Sequence, residues 1–204
     1  MSRGERGLAV LEAAAWLTVV LPVALLGATL CLKVYDQRTL AVIPEALLRE
    51  AAMPSLRWVA DGDDGSFGLE AAELRASAAK LVAAAAGEAR DSLVQTGSVS
   101  ARACCWVFQV DEATGAASAI ERQECVSSGS LELSAELEAA LQSSAAPRLG
   151  VLADSGETGE QRFIGRSLVV GLAVAGVFLP PVPALPQTEI KQAHIAYPRQ
   201  EFTL

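Results

Sequence analysis

The sequence predicts an α+β chain, with a single transmembrane helix at the N-terminus and a small domain of helices packed on an antiparallel sheet behind it. Three observations carry this. Mean hydropathy is +0.33, and the excess is concentrated near the N-terminus rather than spread along the chain. An alanine-rich segment, Leu69 to Val94, has its larger aliphatic residues near helical spacing. Val99 to Val110, VSARACCWVFQV, has the composition of a strand and is followed by the turn residues Asp111 to Ala116.

The first element is the run Leu8–Leu32, 25 residues with Glu12 as the sole charge. As a helix it extends about 37 Å, enough to cross a hydrocarbon core of about 30 Å. It is too long for a cleaved secretory signal, whose apolar core is about 7–15 residues. A lipoprotein signal needs a small residue before its cysteine, and Leu30 precedes Cys31. A plain single-span anchor remains an alternative. Pro22 and Gly27 are tolerated in a membrane helix, with Pro22 a candidate kink. The organisation that follows is a leader over 1–7, a transmembrane helix over 8–33, a helical stalk over 34–60 interrupted near Pro44, and an α+β domain over 61–204.

Within that domain, Asp61 to Ser66 reads as an acidic turn; it lacks the spacing and terminal glutamate of a twelve-residue calcium loop. The 69–94 helix presents Leu74, Leu81 and Val82, with alanine filling the rest of that face. The strand over 99–110 turns back through Ser118–Val126. If Thr114 and Gly115 are the central turn residues, Cys104 lies opposite Cys125, and one cross-strand disulfide follows. A three-residue turn brings Cys105 into that pairing instead, and three reduced, buried thiols are the other possibility. Trp106 and Phe108 alternate in phase with Cys104, so that face is expected in the core. Cys31 is expected to stay free. A short helix over 133–145 opens at Ser134 and stops before Pro147.

The C-terminal part reads strand, proline-rich connection, strand. Leu168 to Leu185 holds 18 uncharged residues, the lower limit for a second span. Pro180, Pro181, Pro183 and Pro186 crowd its end, however, and the branched residues before them suit a strand.

The chemistry-bearing residues are sparse. The formal net charge of -8 gives no basic surplus for a nucleic-acid partner. The one histidine, His194, sits in a predicted strand, and the cysteines have no metal-ligand spacing. No cofactor, metal or catalytic constellation is expected, and the chain does not read as an enzyme.

Glu12 is the informative residue, because a carboxylate within an apolar helix costs about 2.5–3.5 kcal/mol at mid-bilayer and marks function by default. It stands five residues after Gly7, behind Leu8-Ala9-Val10-Leu11 and a leader holding Arg3 and Arg6. In these residues the chain resembles the type IV pilin superfamily, although Ala13 departs from the aromatic residue frequent after that glutamate. The C-terminal layout of Val169–Phe178, Pro180–Pro186 and Ile190–Glu201 resembles TadE-like and TadF-like pseudopilins of the tight-adherence (Flp) pilus system. The resemblance implies cleavage between Gly7 and Leu8 by a prepilin peptidase. It also implies that Glu12 pairs with the N-terminal amine of a neighbouring pilin or pseudopilin subunit. The implied role is a minor pseudopilin of the bacterial inner membrane, single-pass, with a cytoplasmic N-terminus and a periplasmic or extracellular domain. Flanking charge does not decide orientation, since Lys33 and Arg38 match Arg3 and Arg6. The alternative from another class is an unprocessed, membrane-tethered binding or chaperone-like module.

Overall fold

The computed structural model describes residues 3–50, 57–61, 66–111, 113–144, 151–154, 161–182, 184–197 and 201–202. Three helices, α1 (Arg3–Glu50), α2 (Ala71–Ser92) and α3 (Ser134–Ser143), surround a four-stranded sheet. That sheet is antiparallel throughout, in the order β4 (Ala117–Ser128), β3 (Thr96–Val110), β7 (Arg166–Phe178), β8 (Thr188–Ala196). Outside it, β1 (Arg57–Asp61) pairs with β2 (Ser66–Gly68) and with β9 (Glu201–Phe202). A separate hairpin joins β5 (Val151–Asp154) to β6 (Gln161–Ile164). The sequence reading had neither of these small sheets, because strands of two to five residues carry too few positions for a period to show.

The central sheet is covered on both faces. Odd-numbered β3 residues Ala101, Ala103, Cys105 and Val107 join even-numbered β7 residues Leu168, Val170, Leu172 and Val174 against α1 and α2. Cys104, Trp106, Val169, Ala173 and Ala175 face the other way and pack on Leu133 and Leu137 at α3. The Trp106 face is therefore core as expected, but it is the smaller of two cores. The segment 168–185 is resolved in favour of the strand, since β7 occupies the centre of the sheet and pairs on both sides. Buried on both faces, it needs the continuous apolar run that made it look like a span.

Trp106 fits because Gly171 lies on the neighbouring strand. A Cβ there would stand 2.7 Å from the indole and 2.7 Å from Ile195. Gly129 has φ +88°, the left-handed region that favours glycine, and it lies against the buried Ser100. The α3 helix begins at Ser134, but its opening amides are held by Glu132, whose carboxylate accepts from Leu133 N (3.1 Å) and Ser134 N (3.0 Å). These bonds and the Ser134 hydroxyl hold the Glu132 carboxyl below its usual range.

Two expectations for the first third need correction. The helix does not break at Pro44: α1 is continuous for 48 residues through both Pro22 and Pro44. Pro44 forfeits one backbone bond, but it is buried with Leu40, Ile43 and Leu48, whose packing outweighs that loss. The stalk expected over 34–60 ends at Glu50, and Arg57–Asp61 is a strand. The return strand β8 runs from Thr188 to Ala196, short of the Glu201 to which the pseudopilin layout carries it. Of the acidic turn expected over Asp61–Ser66, Asp61 ends β1 and Ser66 opposite it begins β2, and residues 62–65 lie outside the described residues.

Candidate functional site

Gly7 and Leu8 lie within α1, whose helical backbone begins at Arg3. Glu12 is exposed, as is every residue from Ala14 to Ala28. Trp16, Leu17, Val19, Val20, Leu21 and Val23 are half or more exposed, so this length of helix has no partner among the described residues. It is long and apolar enough to cross a membrane. From Leu8 to Ala28 is 21 residues, or about 31 Å of helix. The apolar face is thus not a core stripe, and Glu12 is not held by an internal cation among the described side chains.

Beyond Ala28 the same helix becomes part of the domain. Thr29, Asp36, Leu40, Ile43 and Leu48 are buried, at intervals of seven, four, three and five residues that keep one face inward. Asp36 has no exposed surface. Its carboxylate accepts hydrogen bonds from Val94 N and Gln95 N, each at 3.0 Å, and from Thr96 Oγ1 at 2.7 Å. Those three donors lie where α2 ends and β3 begins, so the carboxylate ties the helix to the first residues of the central strand. Three donors satisfy a buried charge that would otherwise be expensive. Sequence reading passed over Asp36 as a polar flank of the apolar run. Its place four residues before Leu40 and seven after Thr29 is the signal that sets it on the inward face.

The disulfide joins Cys104 to Cys125, with Cα atoms 4.1 Å apart in directly opposed positions. The Cys105 alternative falls away, because that residue points to the opposite face of β3. Its Sγ lies 3.6 Å from the Leu74 carbonyl, and burial, with the negative charge of Glu124, pushes the thiol up to about 12. It stays protonated and unreactive at neutral pH. Cys31 is free and exposed on α1.

The turn that delivers this pairing is not the one assumed. Val110 opposes Ala117, Asp111 N donates to Ala116 O at 2.9 Å, and Gly115 has φ +65°. Asp111 accepts from Thr114 N (2.8 Å) and Thr114 Oγ1 (2.9 Å), which holds its carboxyl below the usual range. From this wider loop the register is two residues short of the Cys104–Cys125 pairing. Irregularities at Val107/Phe108 and Gln109/Val110 each add a residue to β4 and restore it.

Among the described residues no group of three or more His, Cys, Asp or Glu side chains could hold a metal ion. His194 is exposed on β8, opposite Leu172. Lys191 on the same strand binds Glu136 of α3 and Glu189, each at 3.2 Å, and these carboxylates raise its pKa. These groups fasten α3 to the sheet edge. The arrangement that stands out is therefore the helix itself: Gly7 and Leu8 in its first turns, Glu12 exposed on its apolar length, and Asp36 at its seat on a disulfide-linked domain. Comparison with protein-family models, with curated proteins and with solved structures finds no match for this chain.

Proposed function

We propose that this chain is a minor pseudopilin, a structural and assembly subunit of a tight-adherence pilus or related secretion system rather than an enzyme. The observation that carries the reading is Glu12, a lone carboxylate on a length of apolar helix that the domain leaves uncovered. A carboxylate so placed needs a cation from another molecule once water is withdrawn, and an N-terminal ammonium created by cleavage between Gly7 and Leu8 supplies one. The partners are then the inner membrane, a prepilin peptidase and other pilin or pseudopilin subunits. The Cys104–Cys125 disulfide supports a domain on the oxidising side of that membrane, with the N-terminus in the cytoplasm.

Intact mass of the membrane-extracted protein tests the processing step. With active peptidase the mature chain begins at Leu8, and without it the leader is retained. A leader retained despite active peptidase overturns this reading and favours the tethered binding module. Glu12→Ala separates insertion from assembly: membrane insertion is unchanged while recovery in filaments falls. Normal filament incorporation removes the role assigned to Glu12.

A further inference from the structure

The helix leaves the domain at one end, and apolar residues are exposed beside that exit, next to the charged Lys33 and Arg38 of α1. Asp36 fixes which end it is: its bonds to Val94, Gln95 and Thr96 place the start of β3 beside α1. Because β7 is antiparallel to β3, its last residue, Phe178, lies opposite Thr96, and Leu179 N donates to Gln95 O at 2.7 Å. Thr188, which opens β8, lies opposite Phe178. The connection between β7 and β8 therefore projects past the start of β3, on the side from which α1 departs.

The composition of that end is unusual for a water-facing surface. Val94 is 58% and Leu179 41% exposed. Residues 179–187, LPPVPALPQ, carry no charge, and Pro181, Ala184 and Pro186 are exposed. Prolines have no N–H, so Pro180, Pro181, Pro183 and Pro186 leave few donors to desolvate. Two of the remaining amides are already bonded, Leu179 N to Gln95 O and Leu185 N to Val182 O. Such a loop enters a region of low water activity at small polar cost. Tyr35, 53% exposed on α1 beside Asp36, adds an aromatic of the kind enriched at bilayer interfaces. Leu32 ends the apolar run, and Asp36 lies four residues on, about 6 Å further out.

We infer that Tyr35, Val94, Leu179 and the proline-rich connection form a collar by which the domain rests on the lipid surface around its own helix. The collar rests on the reading that α1 spans a bilayer. The occupant is lipid rather than protein because the patch lies beside the exit of an apolar helix and continues its surface. Weak contacts suffice there. Burying one Leu side chain is too little to recruit a free domain, but the helix already holds this one at the surface. The consequence is a domain seated against the membrane, with the β3–β4 turn at its far end.

The test is depth-resolved nitroxide quenching of the full chain in phosphatidylcholine/phosphatidylglycerol vesicles. An environment-sensitive thiol fluorophore is placed singly at Trp16→Cys, Leu179→Cys or Ala113→Cys in a Cys31→Ser background. Cys105 stays unlabelled because it is buried with a raised pKa. The collar requires the label at 179 to lose emission to lipids spin-labelled near the headgroup. The label at 16 should be quenched by deep nitroxides, and the label at 113, on the β3–β4 turn, by neither. Quenching at 16 without quenching at 179 overturns the collar and leaves the span intact. Quenching at none of the three overturns the span and the collar with it.

Discussion

A carboxylate withdrawn from water must find a donor for each lone pair it turns inward, and Asp36 finds three. Asp36→Ala removes the acceptor from Val94 N, Gln95 N and Thr96 Oγ1 at once, and is expected to destabilise the chain by about 3 kcal/mol. Asp36→Asn keeps the shape but turns an amide N–H toward one of the donors, so it is expected to fall between. Hydrogen exchange read at the Val94 and Gln95 amides checks this directly: both lose protection in the alanine variant, while Val170 and Leu172 in the sheet centre keep theirs. Unchanged exchange at those two amides contradicts the clamp. Glu12 is the opposite case, a carboxylate that the fold leaves open, and it is legible in sequence because it interrupts an apolar run. Asp36 is harder to see, because its donors lie about 60 residues away and only folding brings them near.

At the scale of elements, the β3–β4 hairpin shows how a correct pairing can rest on a different turn. Cys104 and Cys125 oppose each other, but through a wider loop and two added residues in β4. The sequence favours the pairing through composition and approximate spacing. Bulges depend on how the strand twists against β7 and α2, so no local pattern announces them. The bond closes a loop with a sequence separation of 21. Its removal in a Cys104→Ala/Cys125→Ala variant is expected to cost about 3 kcal/mol, read as a lowered urea midpoint; an unchanged midpoint contradicts a stabilising role. Pro44 shows the same dependence on context. A proline within a helical pattern argues for a break, and here packing of Leu40, Ile43 and Leu48 keeps the helix whole.

Considered as a whole, the molecule uses one helix for two purposes, and the division falls at Thr29. The described side chains before it, Glu12 and Ala14 to Ala28, are exposed, whereas those after it supply Leu40, Ile43, Pro44 and Leu48 to the larger core. A chain beginning at Thr29 is therefore expected to remain folded. One beginning at Ala51 is not, since losing each large core residue costs about 2–5 kcal/mol against a total stability of about 5–15 kcal/mol. Thermal melting and gel filtration of the two truncations check this, and a cooperative transition in the shorter chain contradicts it. The sequence alone determined the single apolar helix, its interrupting glutamate, the alanine-rich helix, the β3 strand and the α+β class. These follow from periodicity and composition, which a contiguous segment carries by itself. Tertiary structure alone decided that the helix continues to Glu50 as part of the core, that both faces of the sheet are covered, and that Asp36 locks onto the start of β3. Those outcomes depend on contacts between segments distant in the chain, where a packing energy overrides a local preference and no local pattern records it.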